Sequence, residues 1–325
     1  MSKIIAVTIG DINGIGIQLL LDSWYKKKIS NFILFTDHKY IYSLVKLKKI
    51  EVKINIINYK NTKKINYDRR KLNILSYETR SPEDNTYKSL KYAYMFCKKN
   101  ICIGILTLPI RKDLIKQKIN SSFIGHTEYF QKLEKKKNSN MILYHDKIII
   151  SPITTHIEVK KISKAISNKK YIYDQIFSLF NSLKKDFNIL KPKCIISGLN
   201  PHAGEKGTLG NEELEIIIPI IKKLNKKGIE IDGPFSADSM LIDINLKKYD
   251  CFIFMYHDQA LIPFKFISQF TGVNFTGNLS IIRTSPDHGT AYNLVGSKKI
   301  SNVAFIKSYN LIKKIYKNRK LNAES

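Results

Sequence analysis

A chain of 325 residues, 43% of them hydrophobic, can bury a full core, which excludes disorder and collagen-like repeats and makes two α/β domains the natural division. The formal net charge of +28 raises nucleic acid as a partner, yet 49 of the 55 basic residues are lysine and six are arginine, beside 53 isoleucines and nine alanines. Arginine's planar fork is the better reader of phosphates and bases, so the excess reads as compositional drift toward lysine on solvated faces, and no nucleic-acid partner is expected. No run of 18 apolar residues is present, and the first 16 residues lack a basic stretch followed by an apolar core, so neither a membrane span nor a secretory signal is expected. Cys97, Cys102, Cys194 and Cys251 form no CxxC pair, which makes the cytoplasm the default location.

In chain order, short β-rich runs alternate with helical ones. Residues 4–8 predict a strand, and Ile17, Leu20, Leu21 and Trp24 fall at helical spacing behind it. A second strand is expected over 32–35, a helix over 40–49 and a third strand over 53–57. The stretch 60–80 is polar and irregular and reads as a variable insertion. A helix over 87–99 leads into 101–108, a nearly continuous apolar run of the kind buried on both faces in a parallel sheet. Further strands are expected over 141–144, 148–153, 193–197, 251–256 and 280–283. Helices are expected over 128–136, over 212–227 with a kink at Pro219, and over 302–317. The alternation predicts a mainly parallel sheet with helices on both faces.

Against the lysine- and isoleucine-rich background, segments rich in Gly, Pro, His and Ala stand out, and they hold five of the seven histidines. Most follow an expected strand, where ligands bind in open α/β sheets. His156, His202 and His257 each end or follow a strand. Three neutral imidazoles meeting there would bind a divalent metal; the alternative is three histidines that separately cap loops. His126 and Thr127 precede the helix expected over 128–136, whose free N–H groups suit a phosphate or carboxylate, unless Thr127 is a plain N-cap. Lys265, Asn274 and Arg283 follow His257 at intervals of eight to nine, and Arg283 ends an expected strand. Asp238 is a candidate general base or metal neighbour. The Gly10 to Gly16 turn is not a GxGxxG fingerprint and reads as a tight turn with close backbone packing.

These segments together resemble the 4-hydroxythreonine-4-phosphate dehydrogenase family of vitamin B6 biosynthesis. The strings that carry the likeness are VTIGDINGIG (7–16), GHTEYF (125–130), TTHIEV (154–159), SGLNPHAGEKGTLGNEE (197–213), GPFSADSM (233–240), YHDQALIPFK (256–265) and VNFTGNLSIIRTSPDHGTAYNLVG (273–296). NPHAGE and SPDHGTA are the most specific. The first turn departs from the usual family pattern at Ile12, Asn13, Ile17 and Gln18, and Arg111 stands where Asn is usual.

The resemblance implies an isocitrate/isopropylmalate dehydrogenase-like fold, with two α/β/α domains and a cleft between them. The first domain is expected over 1–124 plus 270–325 with the NAD-binding loop, the second over 125–269 with the metal ligands and the dimer interface. It implies His156, His202 and His257 as ligands of one divalent ion (zinc, magnesium or cobalt). Substrate contacts are implied at His126, Thr127, Lys265, Asn274 and Arg283, and a loop for NAD or NADP at Asp287, His288, Gly289, Thr290 and Ala291. Asp238 or His126 is the expected base. The implied activity is oxidation and decarboxylation of 4-phosphooxy-L-threonine to 3-amino-2-oxopropyl phosphate, by a homodimer whose active site is shared between subunits. The alternative is a related dehydrogenase of a four-carbon sugar-acid phosphate of the threonate or erythronate type.

Overall fold

The structure, a computed structural model, describes residues 3–47, 51–59, 65–297 and 300–324. The elements run β1 (Ile5–Thr8), α1 (Ile15–Tyr25), β2 (Phe32–Phe35), α2 (His38–Leu47), β3 (Ile54–Asn58), β4 (Leu72–Ser76), α3 (Pro82–Lys98), β5 (Gly104–Thr107), α4 (Lys112–Lys118), α5 (His126–Leu133), β6 (Asn140–His145) and β7 (Ile148–Pro152). Then come α6 (Ile162–Ile166), α7 (Lys169–Phe187), β8 (Lys193–Ser197), α8 (Ile218–Asn225), β9 (Glu230–Phe235), α9 (Asp243–Lys248), β10 (Cys251–Phe254), α10 (His257–Ser268), β11 (Val273–Gly277), β12 (Arg283–Pro286) and α11 (Val303–Glu324).

Two compact units emerge, Met1–Leu133 with Ser280–Tyr316, and Glu134–Leu279 with Lys317–Ser325. In the first, the strand order β3-β4-β2-β1-β5-β12 is parallel throughout. Its central strands, Ile-Ala-Val-Thr and Phe-Ile-Leu-Phe, are buried on both faces, as apolar strands covered by helices on each side must be. α3 is fixed at its start by Ser81, whose hydroxyl accepts from the Asp84 N–H at 3.1 Å, and by Pro82 in the first turn. In the second unit the order is β11-β6-β7-β10-β8-β9. β11, β6 and β7 pair antiparallel, while β7, β10, β8 and β9 are parallel. Its core gathers Leu143, Ile150, Ile195, Phe252, Phe254 and Phe264.

Several boundaries differ from the sequence expectation. The stretch 60–80 is not wholly an insertion: it contains β4, paired with both β3 and β2, while residues 60–64 lie outside the described residues. Asn73 disguises that strand. It is 2% exposed, and its amide donates to the backbone carbonyls of Asp68 and Lys71 while its side-chain oxygen accepts from the Asp68 N–H. The last two residues of the helix expected over 40–49 also lie outside the described residues. The strand expected over 280–283 begins at Arg283 instead, because Ile281 and Ile282 fill the core ahead of it. The expected break at 124/125 falls at 133/134, since α5 packs its Tyr129 and Phe130 on Tyr87 and Tyr94 of α3. The break at 269/270 falls at 279/280, because β11 pairs with β6.

The last turns of α11 belong to the second unit through one buried ion pair. Arg319 Nε meets the Asp186 carboxylate at 2.6 Å, and Asn318 donates to the Asp186 carbonyl at 2.7 Å. Burial raises the Asp186 pKa and the arginine opposes it. Arg319→Met strands that carboxylate without its cation, and urea unfolding should show a loss of about 3–5 kcal/mol. Arg70→Met, which removes the exposed pair with Asp68, should cost less than about 1 kcal/mol.

Candidate active site

In the first unit, three short connections bring charged groups to one place. Gly125 precedes α5, Lys112 opens α4 and Arg283 opens β12. Arg283 is 2% exposed; its Nη2 donates to Thr107 Oγ1 at 2.7 Å and to Ser285 Oγ at 3.0 Å. Burial pulls its pKa down to about 9, and the Glu128 carboxylate opposes the shift. His126 is the first residue of α5 rather than the residue before it, and its Nε2 is buried with no hydrogen-bond partner. Burial first, then Arg283 and Lys112, hold this imidazole neutral, well below its ordinary pKa. Thr127 lies in the same first turn. Both side chains lie close over Gly125: a Cβ there would stand 2.9 Å from Glu128 Oε2 and 3.2 Å from Lys112 Nζ, so a larger residue would shift them. The result is a pocket of positive charge with unused hydrogen-bonding capacity, suited to a phosphate or carboxylate.

A second feature of this unit sits where its strand order reverses, with β2 on one side of β1 and β5 on the other. A cleft of ≈ 270 Å³ opens there, lined by Asp11, Asn13, Thr86, Arg111 and Tyr292 among others. The segment Asp287 to Ala291 borders it. The Thr290 carbonyl accepts from the Ile15 N–H at 3.0 Å, the Tyr292 hydroxyl donates to the Asp11 carboxylate, and the His288 ring bonds the Gly289 carbonyl at 3.0 Å. Gly14 permits this approach, because a Cβ there would lie 3.0 Å from the Thr290 oxygen.

The second unit carries the other expected residues. Thr154, just past β7, binds the Met255 carbonyl through its hydroxyl at 2.8 Å, and so sets His156 beside His257, with ring centroids 5.8 Å apart. His257 Nδ1 lies 2.8 Å from the Asp258 carboxylate, an arrangement that fixes the tautomer and leaves Nε2 for a ligand. Gln259, not singled out in the sequence, joins the ends of β8 and β10: its Oε1 accepts from the Met255 N–H and Ser197 Oγ, and its Nε2 donates to the Gly198 carbonyl.

His202 is presented differently. His202, Ala203, Gly204, Glu205 and Lys206 all have left-handed backbone angles, a costly run for residues with side chains. Glu213 stabilises it. This 1% exposed carboxylate accepts the N–H groups of Leu199 and Asn200 at 2.7 and 2.9 Å and the Asn200 amide at 3.0 Å. His202 does not join the His156–His257 pair. Among the described residues, no three His, Cys, Asp or Glu side chains are arranged to hold an ion within one chain.

Asp238 lies on the turn Ala237–Ser239, exposed, with its carboxylate accepting from Ser236 Oγ at 2.6 Å. That hydrogen bond lowers its pKa, which weakens it as a base. Lys265 Nζ sits 4.8 Å from the Phe270 ring centre, and Asn274 Oδ1 on β11 is buried with no hydrogen-bond partner. Lys112, Glu128, Glu213 and Gln259 were given no role from sequence. Their only signal was a place inside or beside strings already quoted for other residues.

Solved structures share this fold along the chain. A 4-hydroxythreonine-4-phosphate dehydrogenase from Klebsiella pneumoniae matches with a TM-score of 0.81 and 26% identity, over 97% of this chain and 100% of that one. A terephthalate 1,2-cis-dihydrodiol dehydrogenase from Burkholderia xenovorans shares the fold at TM-score 0.60 and 18% identity, over 96% and 98%. The class is therefore that of α/β dehydrogenases with the fold of the solved 4-hydroxythreonine-4-phosphate dehydrogenases. Curated relatives named 4-hydroxythreonine-4-phosphate dehydrogenase include those of Bacteroides thetaiotaomicron, 33% identical over 97% of this chain and 89% of that one, and of Aquifex aeolicus, 34% identical over 96% and 98%. A D-threonate 4-phosphate dehydrogenase from Pectobacterium atrosepticum is 29% identical over 92% and 95%. The family model described as pyridoxal phosphate biosynthetic protein PdxA matches residues 28–312, and the chain belongs to that family.

The neutral state of His126 has a consequence for stability. Its pKa in the folded protein lies below that of the unfolded chain, about 6.5. The unfolded chain therefore binds the extra proton first, so this contribution is whole above that pH and is lost as pH falls through the folded value. In His126→Asn the loss of urea stability between pH 7.5 and pH 5 should be smaller than in the unaltered protein.

Proposed function

We propose that the protein oxidises the secondary hydroxyl of 4-phosphooxy-L-threonine with NAD and decarboxylates the product to 3-amino-2-oxopropyl phosphate. The observation that carries this is the cluster of buried Arg283, neutral His126 and Lys112, a ready anion site at the positions where the chain matches its family's substrate motif. Lys265 and Asn274 are the further substrate contacts. The segment Asp287 to Ala291 and the cleft beside it take part of the dinucleotide, with Asp11 and the Tyr292 hydroxyl able to bond a ribose.

One chain offers a histidine pair, not a complete ligand set. The proposal gives His156 and His257 to a divalent ion and takes His202 from a second copy. An exposed apolar face on the second unit supports a homodimer: Ile244, Ile262, Phe266 and Phe270 are each at least 60% exposed. When bound, NAD accepts the hydride, and the ion lowers the pKa of the substrate hydroxyl.

The chain's own residues do the rest. Arg283, held rigid by Thr107 and Ser285, fixes one anionic end of the substrate. His126, neutral and with Nε2 open, can take the hydroxyl proton; Asp238 is the second candidate base.

The test is turnover of 4-phosphooxy-L-threonine with NAD, with and without chelator, following NADH and CO2. Both should form, and chelator should stop both. A preference for D-threonate 4-phosphate, which the Pectobacterium relative makes the second reading, would replace this substrate. His202→Ala should lose metal and nearly all turnover while remaining folded; unchanged metal content would remove His202 from the ligand set.

A further inference from the structure

We propose that Lys112 is the proton donor of the decarboxylation step, delivering its ammonium proton to the carbon that loses CO2. This deepens the reading above and rests on it. Lys112 opens α4 at the mouth of the cluster, and its Nζ lies over Gly125, 3.2 Å from where a Cβ would stand. A substrate held by Arg283 and His126 is therefore presented to an amine that a side chain at residue 125 would displace.

The groups facing Lys112 suit the role. From α5 come the Glu128 carboxylate and His126, and from β12 comes Arg283. On its own helix Asp113 is paired with Arg111, and from α3 Glu83 is paired with Lys118 at 2.7 Å, so neither acidic neighbour is given over to Lys112. Burial, then Arg283, lower the Lys112 pKa, and Glu128 opposes them. A cation more willing to part with its proton than an ordinary lysine is the outcome. Arg283 keeps its own proton in the neutral range.

The step balances. Hydride transfer leaves a ketone next to the carbon that bears the amino group and the carboxylate. The bond from that carbon to the carboxylate breaks, CO2 departs, and the electron pair moves toward the ketone oxygen as an enolate. The Lys112 ammonium gives one proton to the amino-bearing carbon, which restores the ketone and leaves a neutral amine. Solvent returns the proton to Lys112.

The experiment uses the full chain with its divalent ion. One measurement follows deuterium entering the amino-bearing carbon of 3-amino-2-oxopropyl phosphate in D2O, by NMR. The other follows the first-turnover burst of NADH from 4-phosphooxy-L-threonine. The unaltered enzyme should catalyse both. Lys112→Met should lose exchange by about 100-fold, the scale of general acid catalysis, a far larger loss than that of its NADH burst, which falls only as far as weaker substrate binding requires. Lys112→Arg keeps the charge and guards against a folding defect. It should restore KM but not exchange, and should abolish the alkaline fall in kcat that deprotonation of Lys112 imposes. Exchange retained in both variants would overturn the assignment, as would a burst that falls in step with exchange. Absence of NADH formation by the unaltered enzyme would instead overturn the substrate reading, and this role with it.

Discussion

The candidate site depends on one buried guanidinium. Arg283 is held by two hydroxyls, those of Thr107 and Ser285, at the start of β12. A charge so placed is costly unless something completes it. The Glu128 carboxylate does part of that work, opposing the loss of the arginine's proton. Burial lowers the pKa of both His126 and Lys112, and the same arginine charge adds to each shift. Replacing a buried ion pair by apolar packing is often neutral or stabilising, so this arginine, on a strand whose other members are Thr, Ser and Pro, is a weak source of stability, in keeping with the ligand-binding part proposed for it.

Much of the fold could be read from the chain. The strands over 5–8, 32–35 and 193–197 are apolar or β-branched runs bounded by turn residues, and each was placed within a residue or so. Strands that mix polar residues into a buried sheet were harder. β4 hides behind Asn73, whose polarity is cancelled by bonds to Asp68 and Lys71 that no local pattern reveals. β11 was passed over because Gly and Asn flank its alternating Val273 and Phe275. Two helices begin earlier than their apolar spacing implies, α5 at His126 and α3 at Pro82, because their first residues, His-Thr and Pro-Glu-Asp-Asn-Thr, carry no apolar period.

The site was legible by residue type but not by arrangement. Rare His, Gly and Pro in a lysine-rich chain single out the segments from which the structure assembles its buried charged cluster and its histidine pair. What composition could not convey was that His156 and His257 face each other while His202 stands on its own left-handed turn, or that a glycine at 125 exposes Lys112. Such facts depend on backbone angles and on groups brought together from distant parts of the chain. Supporting residues such as Glu213 and Gln259 are common types in a sequence and acquire meaning only through the bonds they make.

The turn that carries His202 holds a last consequence. The segment that leads into its five left-handed residues is held by a buried acidic side chain, Glu213, which accepts the N–H groups of Leu199 and Asn200. A survey of inactivating mutations in this gene would score position 213 beside the histidines, and an unwary reader would enrol it in the chemistry. The distinction lies in what is lost: the histidine takes away a reactive group, the glutamate only the posture in which that group is offered.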